Sequence, residues 1–332
     1  MTGLTRILLV RYSALGDVVL ATSVLEPLRE RHPGARVEWV TDAAYAPLLE
    51  GLPGLAAVHR LDRRGLRPSL ELGRALAGRF DVAVDLQGKL KSALVARAAA
   101  RRRLTFRRRA PGRALLASLG WDPPLGRAHA TELYAEALRP LGVERPGRPR
   151  VFLSPQARAR AEEALAKVGR PAVALAPGAR WATKRWPAER FARLAEALAA
   201  DGASVVLCGG PADAEALAAF RAACRAPVAA DLSALPLDAL AASLGRVRLL
   251  VACDSGPVHL AAAAGTPVLA LFGPTSPARW GPPPPGRALQ LEIPCAPCSN
   301  HGAERCPEGH HRCMQDLGAE RVLAAAKEIL AS

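Results

Sequence analysis

The sequence predicts an α/β protein with two doubly wound parallel sheets, one in each of two domains. Three observations indicate this fold class. Short apolar runs typical of buried parallel strands recur along the chain, separated by turns and by apolar residues at helical spacing. This alternation occurs twice, with proline- and glycine-rich stretches between the two series. The 332 residues, 50% of them hydrophobic, also suffice for two domains of about 150 residues each.

The first series begins close to the amino terminus. Its predicted strands are residues 6–11, 37–41, 57–61 and 81–86. Between the first two strands, apolar residues recur at helical spacing from Val18 to Leu28. A helix is therefore expected to end near Arg31, before Pro33 and Gly34.

Linker-like stretches rich in proline and glycine are expected to join the domains, at residues 121–126 and 144–150. A helix at about 156–168 leads into the second series. Its predicted strands are residues 172–176, 204–208, 226–230, 248–253 and 268–272, and a last helix is predicted at 320–330. The predicted divisions of the chain are residues 1–155, 156–318 and 319–332.

One strand-to-helix turn near the carboxyl terminus has the features of an anion site. Asp254 and Ser255 are residue types that cap helices, and Pro257 fits the first helical turn. Gly256 allows close approach to the backbone. A helix that begins here directs unpaired N–H groups and the positive end of its dipole at one spot, close to His259. The turn is predicted to bind phosphate; the alternative is a capped turn that binds nothing.

Other polar turns also follow predicted strands. Asp17 follows the first strand of the first series, and its alternative role is to complement the helix dipole. In the second series, Thr183 and Lys184 follow one strand and Gly209 follows the next. Ligands of open α/β sheets bind at the carboxyl ends of the strands, so these turns can form a pocket for a nucleotide diphosphate. Lys184 would contact its phosphates.

The chain is strongly basic, with a formal net charge of +15 and a pI of about 10.5. Residues 97–113 are its most basic part. Three interpretations stay open: nucleic-acid binding, contact with an anionic membrane surface or phosphorylated lipid, and a solvated loop. No nucleic-acid-binding motif accompanies these residues, so no nucleic-acid partner is predicted. Lys89, after the fourth strand, is a candidate contact for an anionic substrate, or a solvated lysine beside a glycine turn.

Seven cysteines, an odd number, argue against a secreted scaffold held by disulfides. Cys295, Cys298, Cys306 and Cys313 lie in one histidine-containing segment, which could bind zinc or an iron–sulfur cluster or hold reduced thiols that pack a loop. The looser spacing of the second pair favours the thiols, so no metal is predicted. No signal peptide and no apolar run of about 18 residues is apparent, and a cytoplasmic protein is expected.

Together these motifs resemble those of the bacterial lipopolysaccharide heptosyltransferases, members of glycosyltransferase family 9 that use ADP-heptose as donor. The likeness runs nearly from end to end. It rests on Arg11-Tyr-Ser-Ala-Leu-Gly-Asp-Val18, Pro177-Gly-Ala-Arg180, Lys184-Arg-Trp-Pro187, Asp254-Ser-Gly-Pro-Val-His-Leu-Ala261, Phe272-Gly-Pro-Thr275 and Cys306-Pro-Glu-Gly-His-His-Arg-Cys-Met314.

The resemblance implies the GT-B fold, in which two Rossmann-like domains face each other across a cleft. It implies that residues 1–155 bind the acceptor and residues 156–318 the nucleotide sugar, while the terminal helix, within 319–332, packs back on the first domain. The implied reaction is inverting and needs no metal or other cofactor. The implied partners are an ADP-sugar, an anionic lipid-linked acceptor and, peripherally, the inner membrane surface.

The resemblance also implies roles for individual residues. Asp17 would be the catalytic base. The family's donor site matches Lys184, Asp254, Ser255 and Gly256, with His259 close by. Thr183 and Gly209 join the predicted donor-binding residues because their turns lie at the same strand ends. Lys89, Lys91 and Arg101 are predicted to bind the anionic acceptor because they are basic residues of the first domain. Some members have a glutamate that contacts the donor nucleoside in the loop corresponding to residues 209–213. No residue here is matched to it, so the identity of the donor stays open.

Three other functions compete with this interpretation. A nicotinamide oxidoreductase is disfavoured because no G-x-G-x-x-G motif follows the first strand. A family member that uses a different nucleotide sugar is the second alternative. A non-catalytic protein that binds nucleotides or nucleic acid is the third, because the chain is so basic.

Overall fold

The structure is a computed structural model, and it describes residues 5–62, 65–106 and 128–332. They form two compact units. The described part of the first is residues 5–62, 65–106 and 129–154; that of the second is residue 128 and residues 155–332. The basic residues 107–109 and Arg113, and the predicted linker at 121–126, lie outside the described residues.

The first unit has a five-stranded parallel sheet in the order β3-β2-β1-β4-β5. Its strands are β1 (Arg6–Val10), β2 (Arg36–Asp42), β3 (Ala57–Leu61), β4 (Val82–Asp85) and β5 (Arg102–Thr105). Its described helices are α1 (Leu15–Ala21), α2 (Leu25–Arg31), α3 (Leu66–Ala75), α4 (Leu90–Ala99) and α5 (Ala130–Ala137). A short 3-10 turn, Thr22–Val24, joins α1 to α2, so the predicted helix does end at Arg31.

Residues 7–10 of β1 and 82–84 of β4 are buried on both faces of the sheet, which explains why these stretches are entirely apolar. Leu8 and Val10 of β1 share a buried cluster with Val95 of α4. By contrast, β5 is an edge strand that exposes Arg102 and Arg103. The sequence did not predict this strand, because an edge strand with exposed arginines has no apolar run.

The second unit has a six-stranded parallel sheet in the order β11-β10-β9-β6-β7-β8. Its strands are β6 (Ala172–Ala176), β7 (Ser204–Leu207), β8 (Val228–Asp231), β9 (Leu249–Cys253), β10 (Val268–Phe272) and β11 (Arg287–Gln290). The edge strand β11 was not predicted either, since it too is short, polar and half exposed. The other five were predicted to within a few residues.

The helices of the second unit lie between and after these strands. They are α6 (Pro155–Ala164), α7 (Ala188–Ala200), α8 (Ala214–Ala223), α9 (Leu237–Leu244), α10 (Gly256–Ala263), α11 (Pro277–Trp280), α12 (Arg312–Gln315) and α13 (Ala319–Ala331). Of the helices that the structure describes, none combines the length and apolarity needed to cross a bilayer.

The terminal helix α13 packs within the second unit, against α7 and β9. Its buried face, including Val322, Ala326 and Ile329, joins the same apolar cluster as Leu194 and Leu198 of α7. Packing of this helix on the first unit as well stays a prediction. The apolar stripe of α13 is satisfied by the core beside its own sheet.

Each sheet has one point where the order of its strands reverses direction. In the first unit, β2 and β3 lie on one side of β1 while β4 and β5 lie on the other. In the second unit, β7 and β8 lie on one side of β6 while β9 to β11 lie on the other. Ligands of doubly wound sheets bind at the carboxyl ends of the strands at such points. The fold therefore gives each unit one preferred binding edge.

Candidate functional site

Asp17 lies in the first turn of α1, just beyond the carboxyl end of β1. Its carboxylate is held at both oxygens. The hydroxyl of Tyr134 donates to Oδ1 at 2.6 Å, and Nη2 of Arg11 lies 2.7 Å from Oδ2. The Asp17 side chain is 22% exposed, so the carboxylate has a fixed orientation and can still be reached from solvent.

Arg11 is a buried cation that supports this carboxylate. Its Nη1 donates to the carbonyl of Leu86 at 2.5 Å, and its guanidinium lies over the ring of Tyr134. Burial by itself disfavours the charge of Arg11, but the neighbouring Tyr134 and Asp17 outweigh this effect and raise its pKa. Arg11 is therefore a permanent positive charge beside Asp17.

The residues after β4 hold the turn that leads to Asp17. The side-chain carbonyl of Gln87 accepts hydrogen bonds from the backbone N–H groups of Tyr12 (3.1 Å) and Ser13 (3.3 Å). Asp85 in turn accepts from the backbone of Gln87 at 2.9 Å, and burial raises the pKa of Asp85. These bonds join the ends of β1 and β4, the two strands on either side of the reversal point of the first sheet.

The predicted acceptor contacts lie on the surface of the same unit. Lys89, Lys91 and Arg101 are all exposed. Lys89 and Lys91 flank Leu90, which is 71% exposed and is one of three large hydrophobic residues that the described part of the chain leaves exposed. The structure thus adds an apolar side chain to the predicted basic group.

Lys184 and Asp254 form an ion pair at the reversal point of the second sheet. Nζ of Lys184, in the short 3-10 turn after β6, lies 2.7 Å from Oδ2 of Asp254, which follows β9. The hydroxyl of Thr275, which follows β10, donates to the same oxygen at 2.6 Å. Asp254 is 4% exposed and Lys184 13%, so the pair is shielded and the ammonium keeps some access to solvent.

The predicted anion turn has the expected geometry. Helix α10 begins at Gly256, with Ser255 at the N-cap position and Pro257 in the first turn. The Ser255 hydroxyl donates to the Cys253 carbonyl at 2.9 Å and does not cap the helix, so side chains leave the first-turn N–H groups uncapped. His259 is buried on the next part of the helix. Together these features direct positive potential toward the Lys184 end of the sheet.

Two other predicted donor residues are more deeply integrated in the fold. The hydroxyl of Thr183 donates to the carbonyl of Ala303 at 2.8 Å and accepts from the Ala303 N–H at 2.9 Å. This hydroxyl connects two segments of the chain. Gly209 is buried against Leu217 in the loop after β7. Both residues lie at the carboxyl edge of the sheet, as predicted.

Four cysteines of the tail converge on one cavity of about 20 Å³. Its lining includes Cys295, Cys298, Cys306 and Cys313, together with His310, His311 and Thr183. All seven cysteines of the chain are free thiols. Within the described ranges, no three histidine, cysteine or acidic side chains are arranged to hold a metal ion.

Several residues of these sites were not predicted from the sequence. They are Arg11, Tyr134, Gln87, Thr275 and His311. Arg11, Thr275 and His311 lie inside motifs that the sequence analysis quoted, so their positions carried a usable signal. Tyr134 lies 117 residues from Asp17, and no local pattern connects the two.

Comparisons with known proteins identify the family of the chain. The family model described as glycosyltransferase family 9 (heptosyltransferase) matches residues 69–307. Lipopolysaccharide heptosyltransferase 1 of Pseudomonas aeruginosa is 33% identical to this chain, and the alignment covers 96% of this chain and 93% of the relative. Lipopolysaccharide heptosyltransferase 2 of Escherichia coli K12 is 28% identical, over 98% of both chains.

Solved structures give the same result for the fold. ADP-heptose LPS heptosyltransferase II of Escherichia coli has a TM-score of 0.75 at 27% identity and covers 98% of this chain and 99% of its own. A family 9 glycosyltransferase of Veillonella parvula has a TM-score of 0.81 at 24% identity, over 98% and 97% of the two chains. The predicted GT-B fold class is thereby confirmed. The chain belongs to glycosyltransferase family 9, the heptosyltransferase family, and is a glycosyltransferase.

Proposed function

We propose that this enzyme transfers a heptose from ADP-heptose to the core region of lipopolysaccharide, with inversion at the anomeric carbon and without a metal ion. Three of the proteins named above are lipopolysaccharide heptosyltransferases, and one of these is named for ADP-heptose. The observation that carries the proposal is the ion pair of Lys184 and Asp254 beside the N-terminus of α10. A cation next to uncapped helical N–H groups suits a diphosphate.

In the proposed reaction, Asp17 acts as the general base. Its carboxylate takes the proton from an acceptor hydroxyl as that oxygen attacks the anomeric carbon. The bond between this carbon and the diphosphate oxygen breaks, and ADP leaves with the bonding electron pair. Attack on the face opposite the leaving group inverts the configuration. The hydrogen bond from Tyr134 and the ion pair with Arg11 support this role because they hold the carboxylate in one orientation.

The donor half of the chemistry belongs to the second unit. Negative charge grows on the diphosphate as the glycosidic bond breaks, and Lys184 would stabilise it together with the N–H groups of Ser255 and Gly256. Asp254 would hold the ammonium in place and Thr275 would hold Asp254. Thr183, Gly209 and His259 would shape the walls of this site.

The acceptor would be held by basic residues of the first unit. Lys89, Lys91 and Arg101 are exposed and can pair with phosphate groups of a lipid-linked glycan. Leu90, exposed between the two lysines, can enter the headgroup region of a bilayer while the lysines contact anionic lipids. We therefore place the enzyme peripherally on the cytoplasmic face of the inner membrane.

Substitution of Asp17 tests the catalytic assignment. The variant Asp17→Asn keeps the shape of the side chain and removes its basicity, so the transfer rate should fall by about 10²- to 10⁴-fold. Binding of ADP, measured by calorimetry, should stay within a few-fold of wild type. Glu30→Gln, a substitution at an exposed site on α2, serves as the control. Transfer by Asp17→Asn at a near wild-type rate would refute the assignment.

The donor and the stereochemistry need their own measurements. A panel of nucleotide sugars, followed by release of the nucleoside diphosphate, should show turnover with ADP-heptose above the others. The anomeric configuration of the product, read by NMR, should be opposite to that of the donor. Turnover should also persist in excess EDTA. Preference for another sugar, retention, or loss of activity in EDTA would each contradict the corresponding part of the proposal.

Vesicle binding tests the membrane contact separately. Wild-type protein should sediment with phosphatidylglycerol vesicles and much less with phosphatidylcholine, and salt should weaken the binding. Leu90→Ser should reduce binding at constant charge, whereas Leu66→Ser, also at an exposed leucine, should leave it unchanged. If Leu90→Ser and Leu66→Ser bind the vesicles equally well, Leu90 has no part in the membrane contact.

A further inference from the structure

We propose that the tail segment, residues 295–313, is a positioning element of the donor site and that Gly302 and His311 are positioning residues for Lys184. This inference rests on the proposed function, in which Lys184 stabilises the leaving diphosphate. The tail segment contains the cysteines and histidines whose role the sequence analysis left open. This segment contacts the turn that carries Lys184, and these contacts indicate that it holds the turn in place.

The first contact is a backbone and side-chain clamp at Thr183, the residue before Lys184. The N–H of Thr183 donates to the carbonyl of Ala303 at 3.1 Å, and its hydroxyl donates to the same carbonyl at 2.8 Å. The N–H of Ala303 donates back to that hydroxyl at 2.9 Å. Three hydrogen bonds between two residues 120 positions apart fix the turn after β6 to the tail segment.

The second contact comes from the far end of the tail segment. Nε2 of His311 lies 2.6 Å from the carbonyl oxygen of Thr183. For this bond the imidazole must carry a proton on Nε2 and donate it to the carbonyl. His311 has a φ of 47°, and it is the one non-glycine residue with positive φ in the part of the chain that the structure describes. A histidine in this conformation costs free energy, and the bond to Thr183 contributes to holding it there.

The third contact is with the side chain of Lys184 itself. Gly302 lies so close that a Cβ atom on it would be 3.1 Å from both Cγ and Cε of Lys184, and 3.0 Å from Cβ of Trp181. Real Cβ contacts are rarely this short. Gly302 also has a φ of +91°, a conformation that other residues seldom adopt. The backbone of the tail segment therefore forms one wall along the aliphatic part of Lys184.

The same segment is connected to the partner of Lys184. The N–H groups of Cys298 and Ser299 both donate to the carbonyl of Pro274, at 2.9 and 2.8 Å. Pro274 precedes Thr275, whose hydroxyl donates to Asp254. The tail segment thus touches both loops that determine where the ion pair lies, and its four cysteines line the cavity behind Thr183 and Pro274.

A double-mutant cycle between Gly302 and Lys184 tests the inference. Lys184→Ala should lower kcat by about 100-fold, because a charge that stabilises the transition state is lost. Gly302→Ala should lower kcat by about 10-fold with a smaller change in KM for the donor, since it displaces the lysine. The double variant should be no slower than Lys184→Ala alone, because Gly302 acts only through the lysine.

Gly309→Ala is the matched control. Gly309 lies in the same segment with a φ of +73°, but nothing lies within 4 Å of the position that its Cβ would occupy. This variant carries the backbone strain of Gly302→Ala without the collision, and its kcat should stay within about twofold of wild type. An equal loss of kcat in both variants would indicate backbone strain alone and would overturn the inference.

His311→Asn provides a second, independent variant should Gly302→Ala fail to fold. Asparagine tolerates the left-handed conformation but is too short to reach the carbonyl of Thr183. We expect kcat to fall about three- to tenfold, and this loss should also vanish in the Lys184→Ala background. If the losses of kcat add in the double variants with Lys184→Ala, the positioning role is wrong but the donor role of Lys184 still stands. A wild-type rate for Lys184→Ala would overturn the positioning role together with the donor role of Lys184.

Discussion

The hydroxyl of Tyr134 donates a 2.6 Å hydrogen bond to Oδ1 of Asp17, although 117 residues separate the two in sequence. Tyr134 lies on α5, which packs against α1, and its ring contacts Phe106 and the guanidinium of Arg11. Packing therefore fixes the ring of Tyr134, and the fixed ring determines where its hydroxyl group lies. The bond, together with the ion pair to Arg11, holds the Asp17 carboxylate in one orientation.

Removal of this hydroxyl should slow the reaction. In Tyr134→Phe the carboxylate of Asp17 loses one of the two side chains that orient it, while the ion pair with Arg11 remains. We expect kcat at neutral pH to fall about tenfold, in line with the loss of a hydrogen bond to a charged group. The measurement is kcat, and KM for donor and acceptor, of both proteins at neutral pH.

The melting temperature is the control for this prediction. Phenylalanine keeps the ring contacts with Phe106 and Arg11, so melting should change by no more than a few degrees. A slower enzyme with a clearly lower melting temperature would show that Tyr134 supports the fold and does not orient Asp17.

The ion pair of Lys184 and Asp254 should show strong coupling in stability. Lys184→Met leaves a buried carboxylate without its cation, which typically costs about 3–5 kcal/mol. The double variant Lys184→Met/Asp254→Asn removes the unpaired charge as well and should recover about 1–3 kcal/mol. Urea unfolding followed by tryptophan fluorescence measures both. A double variant less stable than Lys184→Met would contradict the shielded pair seen here.

Glu38 should make stability depend on pH. Its side chain is 1% exposed; burial favours the protonated form, but hydrogen bonds from Arg36 and His59 outweigh burial and lower its pKa. A carboxyl group whose pKa is lower in the folded state stabilises the fold at pH values above its pKa in the unfolded chain, which is ordinarily 4.5. That contribution is lost as the pH falls through the pKa of the folded state. Glu38→Gln should therefore lower stability by about 2 kcal/mol at pH 7.

The difference between Glu38→Gln and wild type should shrink as the pH falls below about 4.5. Thermal melts at pH 7, 5 and 4 would follow it. Glu50→Gln is the comparison, because Glu50 pairs with Arg60 at the surface, where such pairs contribute about 0–1 kcal/mol. A constant difference between pH 7 and pH 4 would exclude the ion pairs of Glu38 as its source.

The seven cysteines should divide by reactivity. Burial raises the pKa of Cys208, Cys253 and Cys313 to about 12, so their thiols stay protonated and unreactive at pH 8. Iodoacetamide should modify Cys295 and Cys306, which are partly exposed, well before these three. Mass spectrometry of tryptic peptides over time would measure the order, with protein in urea as the fully reactive control. Early labelling of Cys208 would contradict its burial in the core.

Much of the fold follows from local patterns in the sequence. The strands beside the two reversal points contain continuous apolar runs because both faces of each sheet are buried there. The helix boundary at Arg31 follows from Pro33 and Gly34. The anion turn at Gly256 was predictable because N-cap residues and a first-turn proline are local signals. The edge strands β5 and β11 had no such signal, because one face and one edge of each meet solvent and arginine is tolerated there.

The sequence by itself determined the two α/β series, the turns at their strand ends and the family motifs. Only the tertiary structure decided which side chains meet at those turns: Tyr134 on Asp17, Asp254 on Lys184 and His311 on Thr183, pairs that lie 117, 70 and 128 residues apart. It also decided that the hydroxyl of Thr183 joins the tail segment and that α13 packs in the second unit. The physical reason is that short-range periodicity sets the secondary structure. Contacts between distant residues depend instead on strand order and on which apolar faces pack together.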